Sequence, residues 1–169
     1  VLTTSDWRFV RTAWGDPYLK SVSFKGVQIG VGNLLLAEES SVYGLQIGWV
    51  DWVDRVFGMQ FNFIAGIVAK GYGFQGVGAN AAWDHWYGTQ LGVVFNWAGE
   101  LRGLQLGLGN GGKVVRGVQI GVANGAREVY GVQIGAVNGC KFLHGVQLGA
   151  INLATESPIP FMLGINVGW

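Results

Sequence analysis

The sequence predicts an all-β fold, namely an antiparallel transmembrane β-barrel of about 10–12 short strands joined by tight turns. Three observations favour this fold class. One short glycine-containing unit recurs along the 169 residues, half of the residues are apolar while 12% are charged, and the charged residues are scattered. No segment approaches the roughly 18 consecutive apolar residues of a membrane-spanning helix. A chain that is apolar without such helices can place its apolar groups on one face of many strands, as barrels in lipid do.

The repeated unit is Gly-Φ-Gln-Φ-Gly, in which Φ is an apolar residue. It reads GVQIG at Gly26, Gly117 and Gly131, GLQIG at Gly44, GLQLG at Gly103 and GVQLG at Gly145. Altered copies are GMQFN at Gly58, GFQGV at Gly73, GTQLG at Gly88 and a decayed tenth copy, PFMLG, at Pro160. Successive copies start 18, 14, 15, 15, 15, 14, 14, 14 and 15 residues apart, and such regularity indicates one strand and one turn per unit.

Apolar residues alternate with small or polar ones within each unit, which is the period of a β-strand. Asn-Gly pairs are typical of tight turns. Equivalent side chains of neighbouring strands stay on one face only if the loop has an odd number of residues. We therefore expect three-residue hairpin loops around Asn124-Gly125 and Asn138-Gly139. The expected organisation is a single outer-membrane β-barrel domain over residues 1-169, with an N-terminal strand at 5-15 and ten repeat strands over 18-169.

The alternation defines two faces. The glutamine of each unit lies near the middle of its strand, so nine glutamines are predicted to form a mid-height belt of mutually bonded amides on the inner face. They are Gln28, Gln46, Gln60, Gln75, Gln90, Gln105, Gln119, Gln133 and Gln147. The position before the first glycine is often aromatic, which predicts an interfacial belt on the lipid-facing surface. Its members are Tyr43, Phe57, Tyr72, Tyr87, Tyr130 and His144.

Apolar residues are also predicted on the inner face beyond the glutamine belt. One end of the strands would carry Val115, Val129 and Leu143, and the other Val94, Val137 and Ile151. A wide diffusion pore would be lined with charges at these positions, so the sequence indicates a narrow or occluded barrel.

The last nine residues alternate without a break and end on an aromatic residue. Phe161, Leu163, Ile165, Val167 and Trp169 resemble the closing strand of outer-membrane proteins, which the barrel-insertion machinery reads as an insertion signal. The units GVQIGVAN and GVQIGAVN, with the closing SPIPFMLGINVGW, resemble the porin-like bacterial "surface repeat" proteins, including a group from predatory bacteria. That resemblance implies an integral protein of the bacterial outer membrane, a homo-oligomer with a trimer favoured, and contact with membrane lipids.

Other chemistry finds little support in the residues. The net charge of +1 without a basic cluster argues against a nucleic-acid partner. Cys140 is the single cysteine and there are two histidines, so neither a disulfide nor a metal site is expected. No set of residues forms a catalytic triad, and neither an enzyme nor a cofactor is predicted.

Three functions therefore remain. The first is a porin-like outer-membrane barrel, narrow or occluded. The second is a structural or lipid-holding outer-membrane protein without channel activity. The third is a soluble glycine-rich β-solenoid, in which glutamine ladders would run along one wall.

Overall fold

The computed structural model describes residues 23–35 and 39–169, and in this part of the chain stacked parallel strands form a β-solenoid of about nine turns. The strands are β1 (Ser23–Ile29), β2 (Gly32–Leu34), β3 (Ser41–Ile120), β4 (Ala123–Ile134), β5 (Val137–Cys140), β6 (Phe142–Ala154) and β7 (Phe161–Gly168). The long β3 is one run of extended backbone that winds through several turns. The predicted N-terminal strand at 5-15 lies outside the described residues.

The prediction of an antiparallel transmembrane barrel is wrong, because neighbouring repeat units pair in parallel and in register. Gly117 lies beside Gly131 and Gln119 beside Gln133, and the same register joins β4 to β6. The repeat fits both arrangements equally well, since each brings equivalent residues into neighbouring strands. Parallel stacking differs in one respect: every residue of the unit, and not only the central glutamine, lies beside its equivalent in the next turn, so amides away from the centre can also bond along the stack.

The predicted hairpin loops are also wrong. Asn124 and Gly125 belong to β4, and Asn138 and Gly139 belong to β5. The two strands pair in parallel, with Asn124 beside Asn138 and Gly125 beside Gly139. These asparagines are buried, and their side chains bond to other asparagines inside the solenoid. The Asn-Gly pairs therefore mark an inward-pointing amide on a strand, and not a reversal of the chain.

Most turns contain a longer strand segment with the glutamine and a shorter one with an asparagine. In the turn that contains Gly131, residues 128 to 134 form the longer segment, within β4, and β5 forms the shorter one. The chain bends between them, so the alternation of the longer segment does not continue through the bend. This explains a further correction: Val94, Val137 and Ile151, predicted on the inner face, are exposed, whereas Val115, Val129 and Leu143 are buried as predicted.

The first glycine of each unit is where the turns approach most closely. Gly131 has a φ of 149°, and a Cβ placed on it would lie 2.0 Å from the carbonyl oxygen of Gly117 in the preceding turn. The other eight repeat glycines, from Gly26 to Gly145, also have a positive φ. A side chain is excluded at these positions both by backbone conformation and by the neighbouring turn.

The last strand closes the stack differently. β7 runs antiparallel to β6, with Asn166 opposite Gln147 and a register irregularity between Gly149 and Asn152. Phe161, Leu163, Ile165, Val167 and Trp169, the predicted insertion signal, are exposed in this capping segment.

Candidate functional site: the amide ladders and the uncharged exterior

Nine glutamines lie inside the solenoid, all at most 8% exposed. From Gln46 onward, each side-chain amide donates to the glutamine of the preceding turn, as Gln133 Nε2 does to Gln119 Oε1 at 2.8 Å. The links from Gln46 to Gln147 span 2.7 to 3.2 Å, and Asn166 adds one more by donating to Gln147. Because the turns stack, the glutamines form a ladder along the axis, and not a ring at one height.

A second ladder consists of asparagines, and the sequence analysis missed it. Asn124 Nδ2 donates to Asn138 Oδ1 at 2.8 Å, and Asn138 donates to Asn152 in the same way. Equivalent links join Asn62, Asn80, Asn96, Asn110 and Asn124. The signal was present in the sequence, because an asparagine follows the repeat glutamine by five residues in most units.

The two ladders point in opposite directions. From Gln46 onward each glutamine donates toward the preceding turn, whereas each asparagine from Asn62 to Asn138 donates toward the following turn. Both also bond across the interior: Gln147 Nε2 donates to the Leu153 carbonyl at 3.0 Å, and Asn138 Nδ2 donates to the Leu148 carbonyl at 2.9 Å. Where both bonds are made, the two amide hydrogens are used and the amide needs no water, whereas Asn62 Oδ1 and Asn166 Oδ1 are buried without a hydrogen-bond partner.

Apolar columns fill the rest of the interior. One contains Val115, Val129 and Leu143, two residues before a repeat glycine, and the other contains small residues such as Ala98 and Ala154. Trp86 lies in the first column where the neighbouring turn has Gly71, and a Cβ on Gly71 would lie 1.8 Å from the indole ring. Cys140 lies in the small-residue column, and burial raises the pKa of its thiol to about 11.

The exterior separates charge from apolar surface. Among the described residues, every charged side chain except the buried Asp51 lies within five positions before a repeat glycine or the tenth copy at Pro160. Ion pairs between neighbouring turns show that these positions share one side of the stack, for example Lys70 with Asp84 at 3.4 Å and Lys141 with Glu156 at 3.2 Å. We call this side the charged edge. Within it, hydrogen bonding by Arg102 holds the pKa of Glu100 below its usual range, with Arg116 contributing.

The remaining outward positions, one to eight after each repeat glycine, carry apolar side chains or glycine with the single polar exception of Thr89. The bend between the two strand segments is the most exposed part of this surface, and we call it the apolar edge. Eight of its large side chains are 53% to 76% exposed: Val31, Trp49, Phe63, Ile64, Val93, Val94, Leu108 and Val122.

The predicted interfacial belt is one column that borders the charged edge. Tyr43, Phe57 and Tyr72 stack with ring centroids 4.7 and 5.0 Å apart, and Tyr130 stacks on His144 at 4.8 Å. Tyr87 contacts Tyr72 edge-on, and arginine guanidinium groups lie over Tyr87 and Tyr130. The ring faces are thus occupied by neighbouring members of the column, and the ring edges point outward.

Residues 23–35 and 39–169 contain neither a metal-binding cluster nor a membrane-spanning helix. The described residues hold no group of three or more histidine, cysteine, aspartate or glutamate side chains placed to bind a metal. In the same part of the chain, no helix is long and apolar enough to cross a membrane. No family model, no curated protein and no solved structure matches this chain.

Proposed function

We propose that this protein is a structural, non-enzymatic β-solenoid that binds to a membrane by inserting its apolar edge into the lipid. The main support for this proposal is that charged and apolar side chains occupy separate parts of the exterior. Eight large side chains on the apolar edge are more than half exposed, and among the described residues every charged side chain except the buried Asp51 lies on the opposite edge. A contiguous apolar surface of this kind is uncommon on soluble monomers and is typical of contact with a partner or a membrane.

Two further features suit a lipid environment. The amides inside the solenoid are bonded to one another and to the backbone, so the polar interior has little need of water. The column from Tyr43 to His144 lies between the charged and apolar surfaces, where aromatic residues are enriched in membrane proteins. The charged edge would then lie in water, the aromatic column among the lipid headgroups and the apolar edge in the acyl chains.

The structural role follows from the shape. Parallel strands about 4.8 Å apart give nine turns a length of roughly 40 Å, and the two amide ladders hold these turns in a fixed register. The protein would therefore lie on a bilayer as a rigid rod. We propose the outer membrane of a bacterium as its location because of the resemblance of the repeats.

Flotation with neutral phosphatidylcholine vesicles tests this proposal. The wild-type protein should float with the vesicles, and Val122→Asp should stay in the lower fractions, because a carboxylate at lipid depth costs roughly 2.5–3.5 kcal/mol. The matched control is Thr155→Asp, which adds the same charge at an exposed position beside the charged edge. Circular dichroism checks that both variants fold like the wild type.

Two outcomes contradict the proposal. If the folded wild-type protein does not float, the chain is a soluble β-solenoid whose apolar edge contacts another protein. If Val122→Asp and Thr155→Asp both float like the wild type, the protein binds vesicles through a surface other than the apolar edge.

Tryptophan fluorescence gives an independent measurement with brominated phosphatidylcholine, which quenches indoles at acyl-chain depth. Trp49 is 53% exposed on the apolar edge, and Trp83 is 60% exposed beside Asp84 of the charged edge. Trp49→Phe should therefore remove more of the quenched emission than Trp83→Phe does. The reverse order would place the charged edge toward the lipid.

A further inference from the structure

The asparagine ladder contains one interruption, at the step from the second turn to the third. Asn33 Nδ2 donates to Asp51 Oδ1 at 2.7 Å, so Asp51 occupies a ladder position. The next member is Asn62, and no hydrogen bond joins the two side chains. Instead, Asp51 Oδ2 and Asn62 Oδ1 are both buried without a hydrogen-bond partner.

The two residues belong to adjoining turns. Gln60 bonds to Gln46, which places Asn62 beside Gly48 in the stack. A Cβ on Gly48 would lie 2.1 Å from Asp51 Oδ1, so the carboxyl group lies against the backbone over which Asn62 is stacked. Two unsatisfied acceptors in adjoining turns are unexpected in a core built on paired amides, because a buried polar group without a hydrogen-bond partner is destabilising.

The direction of the ladder shows which hydrogen-bonding group is missing between Asp51 and Asn62. At every intact step, an asparagine donates a hydrogen to the side-chain oxygen of the following turn. The position of Asp51 therefore calls for a donor toward Asn62 Oδ1. An ionised carboxylate has no hydrogen to donate, whereas a protonated carboxyl group has one.

We propose that Asp51 is a proton-binding site, and that the neutral carboxyl group donates its Oδ2 hydrogen to Asn62 Oδ1 and so completes the asparagine ladder. Solvent supplies the proton, one O–H bond forms, and one negative charge is removed from the interior. The proposal does not depend on membrane binding, because it concerns the inside of the solenoid.

The surroundings of Asp51 favour this protonation. Its side chain is fully buried, and burial raises the pKa of the carboxyl group to about 6, against a smaller lowering by the hydrogen bond from Asn33. The groups that face it, Asn33, Gly48 and Asn62, carry no charge. The nearest charged residue along the chain, Asp54, points outward and pairs with Arg55 at 3.1 Å.

The pH dependence has a definite sign. The pKa is higher in the folded than in the unfolded state, so the stabilising contribution is complete below about pH 4 and is lost as the pH rises to about 6. The urea midpoint of the wild-type protein should fall over this range relative to that of Asp51→Asn. An asparagine supplies the missing donor at every pH, so Asp51→Asn should be the more stable of the two at pH 8. Asp54→Asn, which removes a carboxylate outside the core, should leave the wild-type dependence in place.

Infrared spectroscopy tests the proton itself. A protonated carboxyl group has a carbonyl stretch separate from the amide band, so the difference spectrum between wild type and Asp51→Asn at pH 5 should contain this band, and it should disappear with a midpoint near pH 6. The proposal is overturned if Asp51→Asn is less stable than the wild type at pH 8, or if the stability difference does not change with pH. Should Asp51→Asn not fold, the band can be sought in the wild type alone between pH 5 and 8, and its absence overturns the proposal equally.

Discussion

Removing one glutamine from the middle of the ladder should destabilise the protein more than removing its last member. Gln119 is fully buried, donates to Gln105 Oε1 at 2.8 Å and accepts from Gln133 Nε2 at 2.8 Å. Gln119→Leu has similar volume and keeps the interior filled, but it leaves an oxygen and a nitrogen without one partner each. At about 1–3 kcal/mol for each unsatisfied buried group, the expected loss is roughly 2–6 kcal/mol.

The matched control is Asn166→Leu at the end of the ladder. Asn166 donates to Gln147 Oε1 at 3.1 Å, and its own Oδ1 is already without a partner. This substitution removes the donor of the buried Gln147 Oε1 and of the partly buried Ile159 carbonyl, 3.2 Å away, and it also removes an oxygen that had no bond. Only one of the two acceptors is fully buried, so the expected loss is smaller, about 1–3 kcal/mol.

Urea unfolding followed by tryptophan fluorescence and circular dichroism measures both variants. Because folded domains are stable by only about 5–15 kcal/mol, the loss in Gln119→Leu should be visible as a large shift of the midpoint. A Gln119→Leu protein within about 1 kcal/mol of the wild type would show that the ladder contributes little net stability, because each bond would merely replace one to water. Equal losses in the two variants would contradict the view that the middle of the ladder depends on partners on both sides.

Three further predictions concern close approaches and burial. Gly131→Ala should lower the free energy of unfolding by about 1–3 kcal/mol or more, because the backbone is strained and the new Cβ clashes with the preceding turn. Gly125→Ala has open space around its Cβ and should be neutral or slightly stabilising when both variants are unfolded in urea. Gly71→Ala should be destabilising because of the indole of Trp86, and a double-mutant cycle with Trp86→Leu should show that the smaller partner restores part of the loss; additive effects would contradict direct contact. The Cys140 thiol, buried and with its pKa raised to about 11, should resist alkylation at pH 8 until the protein is unfolded, and rapid modification of the native protein in mass spectra would contradict its burial.

The sequence was sufficient for the alternation of faces and insufficient for the pairing of strands. Strict alternation placed Gln133 inside and Tyr130 outside, and the structure has both in those positions. The direction of pairing could not be deduced in the same way, because identical units bring glutamine beside glutamine in a barrel and in a solenoid alike. The decisive information was the second amide column, since Asn124 and Asn138 bond to each other only if both turns run in the same direction.

The bend was the second feature that the sequence concealed. A two-residue period continued past Gly135 places Val137 inside, but the chain turns a corner there and Val137 is 41% exposed. Glycine, alanine and valine at the bend carry no turn signal as clear as Asn-Gly, so local sequence favoured a reversal at Asn138 over a corner two residues earlier. The same misplacement hid the apolar edge, because residues of the bend were assigned to the inner face.

The opposed directions of the two ladders have a consequence for the whole rod. Amides bonded in one direction add their dipoles, as peptide groups do in a helix, and would place partial charges at the two ends of the stack. Here the glutamine ladder donates toward preceding turns and the asparagine ladder toward following turns, so the two sums oppose each other. A core with little net dipole costs less to hold in a medium of low dielectric constant than a core with one ladder would. An ionised Asp51 would be the exception, since it would place a full charge among these balanced dipoles, and a proton on that carboxyl group removes the charge and supplies the absent donor in one step.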